Sequence, residues 1–362
     1  MRTVAVIGMD VIGTSVALAL SAQGLTVYLA DDDPVAARTA ASLGAGRLEE
    51  PPGTVDLVVL SVGPAAVGQV LAECQRRNLG AAYTDLTSVK LGPLRSAAAA
   101  ACNLARFVGG HPVTEAMPRS GVSAARPDLF EGRPWVLSPT PDTDSVTLNA
   151  ALELTSLCGA VPVVMEPAAH DRAIALVTQT PRLTAGLLAG RLEHSDPTAL
   201  RIAGRDLRDT TRATGGDPQA HLDELRANAG AVVEVLRELA ADLNGLIEGV
   251  GDLRSTDSDR RRSGARTVTD LLRRGNHGRG RIPGKHGAPP AACESVAVLI
   301  NDQPGELARL LDDVARQGVN VEDLSIDHSL GQQLGWVHLV VPAPNAAALA
   351  AALDEKGWPV RH

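Results

Sequence analysis

A histidine set between two glycines and a proline, in the run F-V-G-G-H-P from Phe107 to Pro112, is the residue of this chain best suited to move a proton. Imidazole titrates near neutrality, and Gly109, Gly110 and Pro112 fix the backbone on either side, so His111 is a candidate catalytic residue. A second polar run, D-L-T-S-V-K from Asp85 to Lys90, offers the Ser88 hydroxyl and the Lys90 ammonium. Both runs follow short apolar stretches. Ligands of open α/β sheets collect at the carboxyl ends of strands, so Ser88, Lys90 and His111 are expected to converge. Further along, H-D-R-A-I-A-L-V starts at His170, and L-R-D-T-T-R spans Leu207 to Arg212. Arginine fits a carboxylate because its planar fork donates two parallel hydrogen bonds. His170 and Asp171 are expected to orient the wall of the site.

A separate signal lies at the start of the chain. V-I-G-M-D-V-I-G-T-S, from Val6 to Ser15, follows an apolar strand-like run and opens a helical one. That is where a dinucleotide fold sets the pyrophosphate on helix N-terminal amides. Gly8 and Gly13 occupy two of the three glycine positions of G-x-G-x-x-G, and Asp10 replaces the middle one. A carboxylate there adds repulsion toward a pyrophosphate. Asp31 ends the next strand-like run, near the ~20-residue distance expected of the acid that holds the adenosine ribose. With Asp32 and Asp33 beside it, a 2′-phosphate would meet carboxylates, so NAD is expected rather than NADP. Gly8, Asp10, Ile12, Gly13, Asp31 and Ser61 are the expected cofactor contacts.

Positioning these residues requires a parallel sheet, and the first third of the chain has its rhythm. Strands are expected at Thr3–Ile7, Thr26–Ala30, Asp56–Ser61, Ala81–Thr84, Arg106–Gly109, Pro134–Leu137 and Val161–Met165. Helices should lie between them near Ile12–Gln23, Pro34–Leu43, Ala65–Arg76, Leu91–Ala101 and Thr143–Cys158. From Pro167 to about Ile247 the apolar spacing of three and four predicts helices only. Arg254 to Pro290 gathers Arg260, Arg261, Arg262, Arg266, Arg273, Arg274, Arg279 and Arg281 with glycine and proline. It is read as an exposed linker, with one short helix around Thr267–Arg274. The tail then reads strand, helix, strand, strand, helix, strand, a ferredoxin-like βαββαβ module. Expected boundaries are 1–165 for the nucleotide domain, 166–254 for the helical domain, 255–292 for the basic linker and 293–362 for the tail.

Composition excludes several classes. At 362 residues, with 44% hydrophobic and 21% charged residues and a net charge of -8, the chain reads as multidomain and globular, without a general pull toward nucleic acid or anionic lipid. The linker arginines lack interleaved aromatics. The opening residues lack a signal-peptide pattern and no apolar run suits a membrane span, so the protein is expected in the cytoplasm. Cys74, Cys102, Cys158 and Cys293 show no metal-ligand spacing or disulfide framework.

Taken in order, G-x-x-x-x-G-T-S-x-A, D-L-T-S-V-K, G-G-H-P, L-F-E-G-R-P-W-V-L-S-P, A-H-D-R-A and R-D-T-T-R resemble the prephenate dehydrogenase family, including its arogenate-using relatives. R-I-P-G-K-H-G and N-D-Q-P-G-E-L resemble members that carry an ACT domain. The resemblance implies an α/β Rossmann domain, an all-α dimerisation domain and a ferredoxin-like ACT domain. It implies NAD-dependent oxidation of a cyclohexadiene at C4 with loss of the ring carboxylate as carbon dioxide. His111 then matches the family base, Ser88 its hydroxyl partner and Arg212 the carboxylate grip. A homodimer is implied, and an aromatic amino acid at Asp302, Pro304 and Gly305 would be the effector.

The chain departs from the family in two places. Where members have Ser-His-x-Pro-His, it has T-Q-T-P-R from Thr178 to Arg182, so Gln179 and Arg182 are expected to touch substrate in place of two histidines. The phrase after the histidine, V-T-E-A-M-P-R-S-G from Val113 to Gly121, is one residue longer. These departures leave the substrate open between prephenate-like compounds and 4-amino-4-deoxyprephenate. The alternative is a catalytically degenerate relative that senses amino acids through its tail. β-Hydroxyacid dehydrogenases use a lysine in the helical domain, and no lysine occurs between Lys90 and Lys285.

Overall fold

The structure is a computed structural model that describes residues 1–114, 121–215, 218–284, 292–328 and 333–361. The chain forms two compact units, Met1–Ala203 with Leu207–Leu239, and Gly204–Asp206 with Ala240–His362.

The first unit holds β1 (Thr3–Ile7), α1 (Val11–Ala22), β2 (Thr26–Ala30), α2 (Pro34–Ser42), β3 (Val55–Leu60), α3 (Val67–Arg76), β4 (Gly80–Asp85), α4 (Leu91–Ala99), β5 (Phe107–Pro112), β6 (Pro134–Ser138), α5 (Ser145–Leu157) and β7 (Val161–Val164). The strands form one seven-stranded sheet in the order β2-β1-β3-β4-β5-β6-β7. All neighbours run parallel except β5 with β6. Successive side chains point to opposite faces. Val4, Val6, Leu57 and Val59 therefore pack with α1, α2 and α5 on one face, while Ala5, Val58, Leu60 and Tyr83 pack with α3 and α4 on the other. Burial on both faces explains the near-continuous apolar strands. Helix starts follow local chemistry: Asp33 and Asp144 accept from Val35 and Thr147 amides, and Pro34 sits in the first turn of α2.

The chain leaves β1 for β2 and returns past β1 to β3, so a crevice opens where the order reverses. Both loops at that point are pinched. A Cβ on Gly8, whose φ is +98°, would lie 1.9 Å from the Ser61 carbonyl oxygen, and one on Gly13 would lie 2.2 Å from the Gly8 carbonyl oxygen.

β5 runs further than expected and includes His111. Its extension pairs antiparallel with β6, Gly109 opposite Ser138 and His111 opposite Val136. After β7 come α6 (Pro167–Ile174), a π turn (Ala175–Gln179) and α7 (Thr180–Gly190) in one continuous rod. Pro181 explains the widened turn: it has no N–H for the Val177 carbonyl, and Thr180 reaches back to the Ala175 carbonyl. Two short helices, α8 (Pro197–Leu200) and α9 (Arg205–Thr211), lead to α10 (Pro218–Asp252), which leaves helical geometry at Asn228.

In the second unit, the stretch expected to be a basic linker is instead α11 (Ser258–Arg279). Asp257 caps it, Arg262 and Arg273 pair with Asp259 and Asp270 three residues back, and Arg260 and Arg274 reach Asp252 and Asp242 on α10. The arginines are thus the outer face of a helix whose Gly264 lies close against Gly249. Arg281 to Pro283 and Gly284 follow it, and the rest of R-I-P-G-K-H-G lies outside the described residues. The tail folds as β8 (Cys293–Asn301), α12 (Glu306–Arg316), β9 (Asp323–His328), β10 (Leu334–Pro342), α13 (Ala343–Glu355) and β11 (Val360–Arg361). Its antiparallel sheet has the order β11-β8-β10-β9, and Val296, Val298, Val337 and Leu339 meet Leu310, Leu349 and Leu353 of the two helices. Among the described residues no helix is long and apolar enough to cross a membrane.

Gly8→Ala should destabilise the protein by about 1–3 kcal/mol from its backbone conformation alone, with the overlap on Ser61 adding to it. Gly53 has open space around its Cβ position, so Gly53→Ala should stay within about 0.5 kcal/mol of wild type. Urea midpoints measure both, and equal midpoints would show that the turn relaxes.

Candidate active site

The crevice beside β1 and β3 opens into a cavity of about 960 Å³ lined in part by Gly8, Asp31, Asp32, Ser61, Gly63 and Ala66. The Asp31 carboxylate accepts the Met9 and Asp33 amides, which stretches it across the glycine turn. Asp10 turns back on the helix it precedes. Its Oδ1 accepts the Gly13 amide and the Ser61 hydroxyl, both at 2.7 Å. The acid that replaces the middle glycine is therefore the N-cap of α1, tied to the loop after β3. Ile12 lies in the first turn of α1. A turn that excludes any Cβ, a helix N-terminus and an acid at the end of β2 fit a dinucleotide with an unphosphorylated ribose.

The second cluster is buried beside the ends of β4 and β5. Asp85 and Lys90 form an ion pair at 2.7 Å with almost no exposure. Lys90 Nζ also donates to the Thr87 hydroxyl and the Gly110 carbonyl, which uses all three of its N–H groups. Asp85 Oδ1 accepts the Gly110 amide at 3.1 Å, so both backbone groups of the residue before His111 are held by one pair. Lys90 was expected to converge with Ser88 and His111. It does reach this place, but as a sealed structural cation rather than one open to a ligand. Burial pushes its pKa down, and Asp85 opposes that shift.

His111 Nδ1 lies 2.9 Å from His170 Nε2, and His170 Nδ1 lies 2.9 Å from Asp171 Oδ1. Asp171 also accepts the Lys90 amide at 2.7 Å and the Leu91 amide at 2.9 Å, so α6 is stitched to the start of α4. Burial first, and then the charge of Lys90, push the His111 imidazole well below its usual range. It is neutral at pH 7, as a proton acceptor must be. Its Nε2 has no hydrogen-bond partner among the described residues. Ser88 lies in the loop between Thr87 and Lys90, half-buried.

The other expected residues divide. Gln179 is buried, its Oε1 accepting from Asn228 at 2.8 Å and its Nε2 donating to the Glu224 carbonyl at 3.3 Å. Arg182 meets Glu224 at 3.2 Å and His221 Nδ1 at 3.0 Å. The residues that replace two histidines are thus both tied to α10. Asn228, at the helical irregularity, also donates to the Asp171 carbonyl. Arg212 is exposed and paired with Asp209, and no contact among the described residues joins it to His111. Residues 115–120, in the segment after His111 that departs from the family, lie outside the described residues. In the second unit, the loop from Asp302 to Gly305 joins β8 to α12, with Asp302 3.6 Å from His328 and Gly305 at a φ of +94°. Sequence reasoning missed the Asp85–Lys90 clamp and the Asn228 contacts. The apolar surroundings of D-L-T-S-V-K could have signalled the clamp, since a buried lysine needs a partner.

Residues 16–164 match the family model described as prephenate dehydrogenase, nucleotide-binding domain, and residues 166–260 match prephenate dehydrogenase, dimerization domain. The chain is 42% identical over 361 residues to the protein described as "Probable prephenate dehydrogenase NovF" of Streptomyces niveus, covering 99% of each. The crystal structure of prephenate dehydrogenase from A. aeolicus with hydroxyphenyl propionate and NAD+ superposes with a TM-score of 0.63 at 25% identity, covering 77% of this chain and 97% of that one. Synechocystis arogenate dehydrogenase shares the fold, with a TM-score of 0.65 at 23% identity over 77% of this chain and 99% of that one. This chain therefore belongs to the prephenate dehydrogenase family of NAD-binding oxidoreductases.

Proposed function

We propose that this chain catalyses the oxidative decarboxylation of a prephenate-type cyclohexadiene to an arylpyruvate, with His111 as the base. The observation that carries this reading is a neutral, half-buried histidine held through Nδ1 alone, at a strand end of a nucleotide-binding sheet. NAD, when bound, supplies the acceptor for the hydride that leaves ring C4. His111 Nε2 takes the C4 hydroxyl proton, and the electron density left on that oxygen drives hydride out. The Ser88 hydroxyl holds the same oxygen. Arg212 grips a substrate carboxylate after exchanging Asp209 for it. The ring carboxylate leaves as carbon dioxide, its electron pair completes the aromatic ring, and His111 returns the proton to the C4 oxygen, so proton, hydride and carbon balance.

Between a C4 hydroxyl and a C4 amine, the hydroxyl is the better supported. A C4 amine would need an acceptor for its N–H in the pocket, and the Gln179 oxygen already accepts from Asn228. The NovF relative also carries the prephenate description. Incubation with NAD and, in turn, prephenate, arogenate and 4-amino-4-deoxyprephenate, followed by absorbance of the reduced cofactor, should give the highest kcat/KM on prephenate. His111→Asn should lower kcat at least about 10²-fold on it. A higher kcat/KM on the amino compound would reverse the choice of substrate, and full activity in His111→Asn would remove the base assignment.

For the cofactor, we propose that the Asp10 charge weakens NAD binding while its side chain caps α1. Asp10→Asn keeps an acceptor for the Gly13 amide and should tighten NAD between about threefold and tenfold by fluorescence titration, with little change in melting temperature. Asp10→Ala should tighten NAD likewise and cost about 1 kcal/mol of stability. Unchanged affinity in both variants would show that the carboxylate does not face the pyrophosphate.

We further propose that the helical segment pairs two copies as a homodimer, in line with its dimerization-domain match. The βαββαβ tail is read as an ACT-type module that takes an aromatic amino acid at Asp302, Pro304 and Gly305. Kinetics with tyrosine, phenylalanine, tryptophan and 4-aminophenylalanine should show inhibition by at least one of them, and no effect from any would remove the regulatory role.

A further inference from the structure

We propose that His170 and Asp171 are positioning residues that fix the tautomer of His111, leaving its Nε2 lone pair free for the substrate proton. The inference rests on His111 being the base, and it follows from counting donors and acceptors. Both Asp171 oxygens already accept backbone amides, from Lys90 and Leu91, so this carboxylate faces its neighbours as an acceptor. Only a protonated His170 Nδ1 can satisfy the 2.9 Å contact with Asp171 Oδ1. A neutral His170 then presents Nε2 as an acceptor. The 2.9 Å contact between His170 Nε2 and His111 Nδ1 requires the proton to sit on His111 Nδ1. His111 Nε2 is thereby deprotonated, which is the form a general base needs.

The geometry limits escape from this arrangement. His170 is fully buried, and its ring stands edge-on to that of His111, with centroids 5.1 Å apart and planes at 82°. No rotation of the His111 ring would keep the bond to His170 and reverse its nitrogens. When His111 accepts the substrate proton, the imidazolium keeps its Nδ1–H bond to His170, and the Asp171 carboxylate lies one ring further back. No proton needs to travel along the chain. The Asp85–Lys90 clamp on Gly110 holds the backbone, while His170 and Asp171 set the ring.

The test uses the full chain. NMR shifts of the histidine ring nitrogens should show His111 and His170 protonated on Nδ1 and bare on Nε2, and a His111 protonated on Nε2 overturns the proposal in the wild-type protein without any variant. His170→Phe keeps the ring volume and removes the acceptor. It should lower kcat by about 10- to 100-fold with the KM for NAD unchanged. His170→Gln restores a carbonyl acceptor and should recover most of that loss. Full activity in His170→Phe, or equal impairment in the Phe and Gln variants, would reduce His170 to a space-filling role. His111→Asn run alongside separates the two levels. Activity surviving in it removes the base itself, whereas loss in it with full activity in His170→Phe removes only the positioning role.

Discussion

The buried ion pair between Asp85 and Lys90 is the constraint on which the rest of the site depends. An isolated ammonium without exposure would cost several kcal/mol, and here the cost is offset by three acceptors, one of them the opposing charge of Asp85. What the pair secures is geometric. Two glycines at the end of β5 would leave the backbone loose, because glycine loses the most conformational freedom on ordering. Clamping both the amide and the carbonyl of Gly110 removes that freedom at the residue before His111. Neither glycine is replaceable by a larger residue: a Cβ on Gly110 would come within 2.6 Å of the Asp85 carbonyl oxygen, and one on Gly109 within 2.9 Å of Lys90 Cδ. Small residues and the buried charge are one device, since the ion pair can reach the strand only where no side chain intervenes.

The nucleotide end solves a related problem by other means. There the close approach is between two loops rather than between a strand and a cation. Gly8 and Gly13 allow β1, α1 and the loop after β3 to meet, and the Asp10 carboxylate joins them through Gly13 and Ser61. A motif in which the middle glycine has become an acid keeps its turn because the other two glycines carry the steric requirement.

Much of the nucleotide-binding half was legible because it relies on local signals: two-residue alternation in the strands, acids and a proline at helix starts, and glycines at a forced turn. His111, Gly8, Gly13 and Asp31 were found for those reasons. Contacts between residues distant in the chain were not legible. Gln179 and Arg182 stand out in the sequence because their types differ from the family pattern, while their partners in the fold, Asn228 and Glu224, lie on another helix with no local mark. Composition alone marks the arginine-rich stretch as a linker, because most of its residues are polar or glycine. Its Asp–Arg spacings of three and the close approach of Gly264 to Gly249 are helix signals that outweigh composition. For Arg212 the family resemblance implied a grip on a substrate carboxylate, and in the structure its guanidinium pairs with Asp209 on the same stretch of chain.

The π turn between α6 and α7 accommodates one more residue than an α-helical turn. An α-helix advances about 100° per residue, so the extra residue offsets the faces of α6 and α7 by roughly that angle. His170 and Asp171 lie before the offset, and Gln179 and Arg182 lie at or after it. The side chains of His170 and Asp171 thus turn to His111 and the start of α4, and those of Gln179 and Arg182 to α10. Drift in the second half can retune its neighbours without rotating the first, so a lineage can exchange T-Q-T-P-R for another phrase while leaving the histidine pair in register.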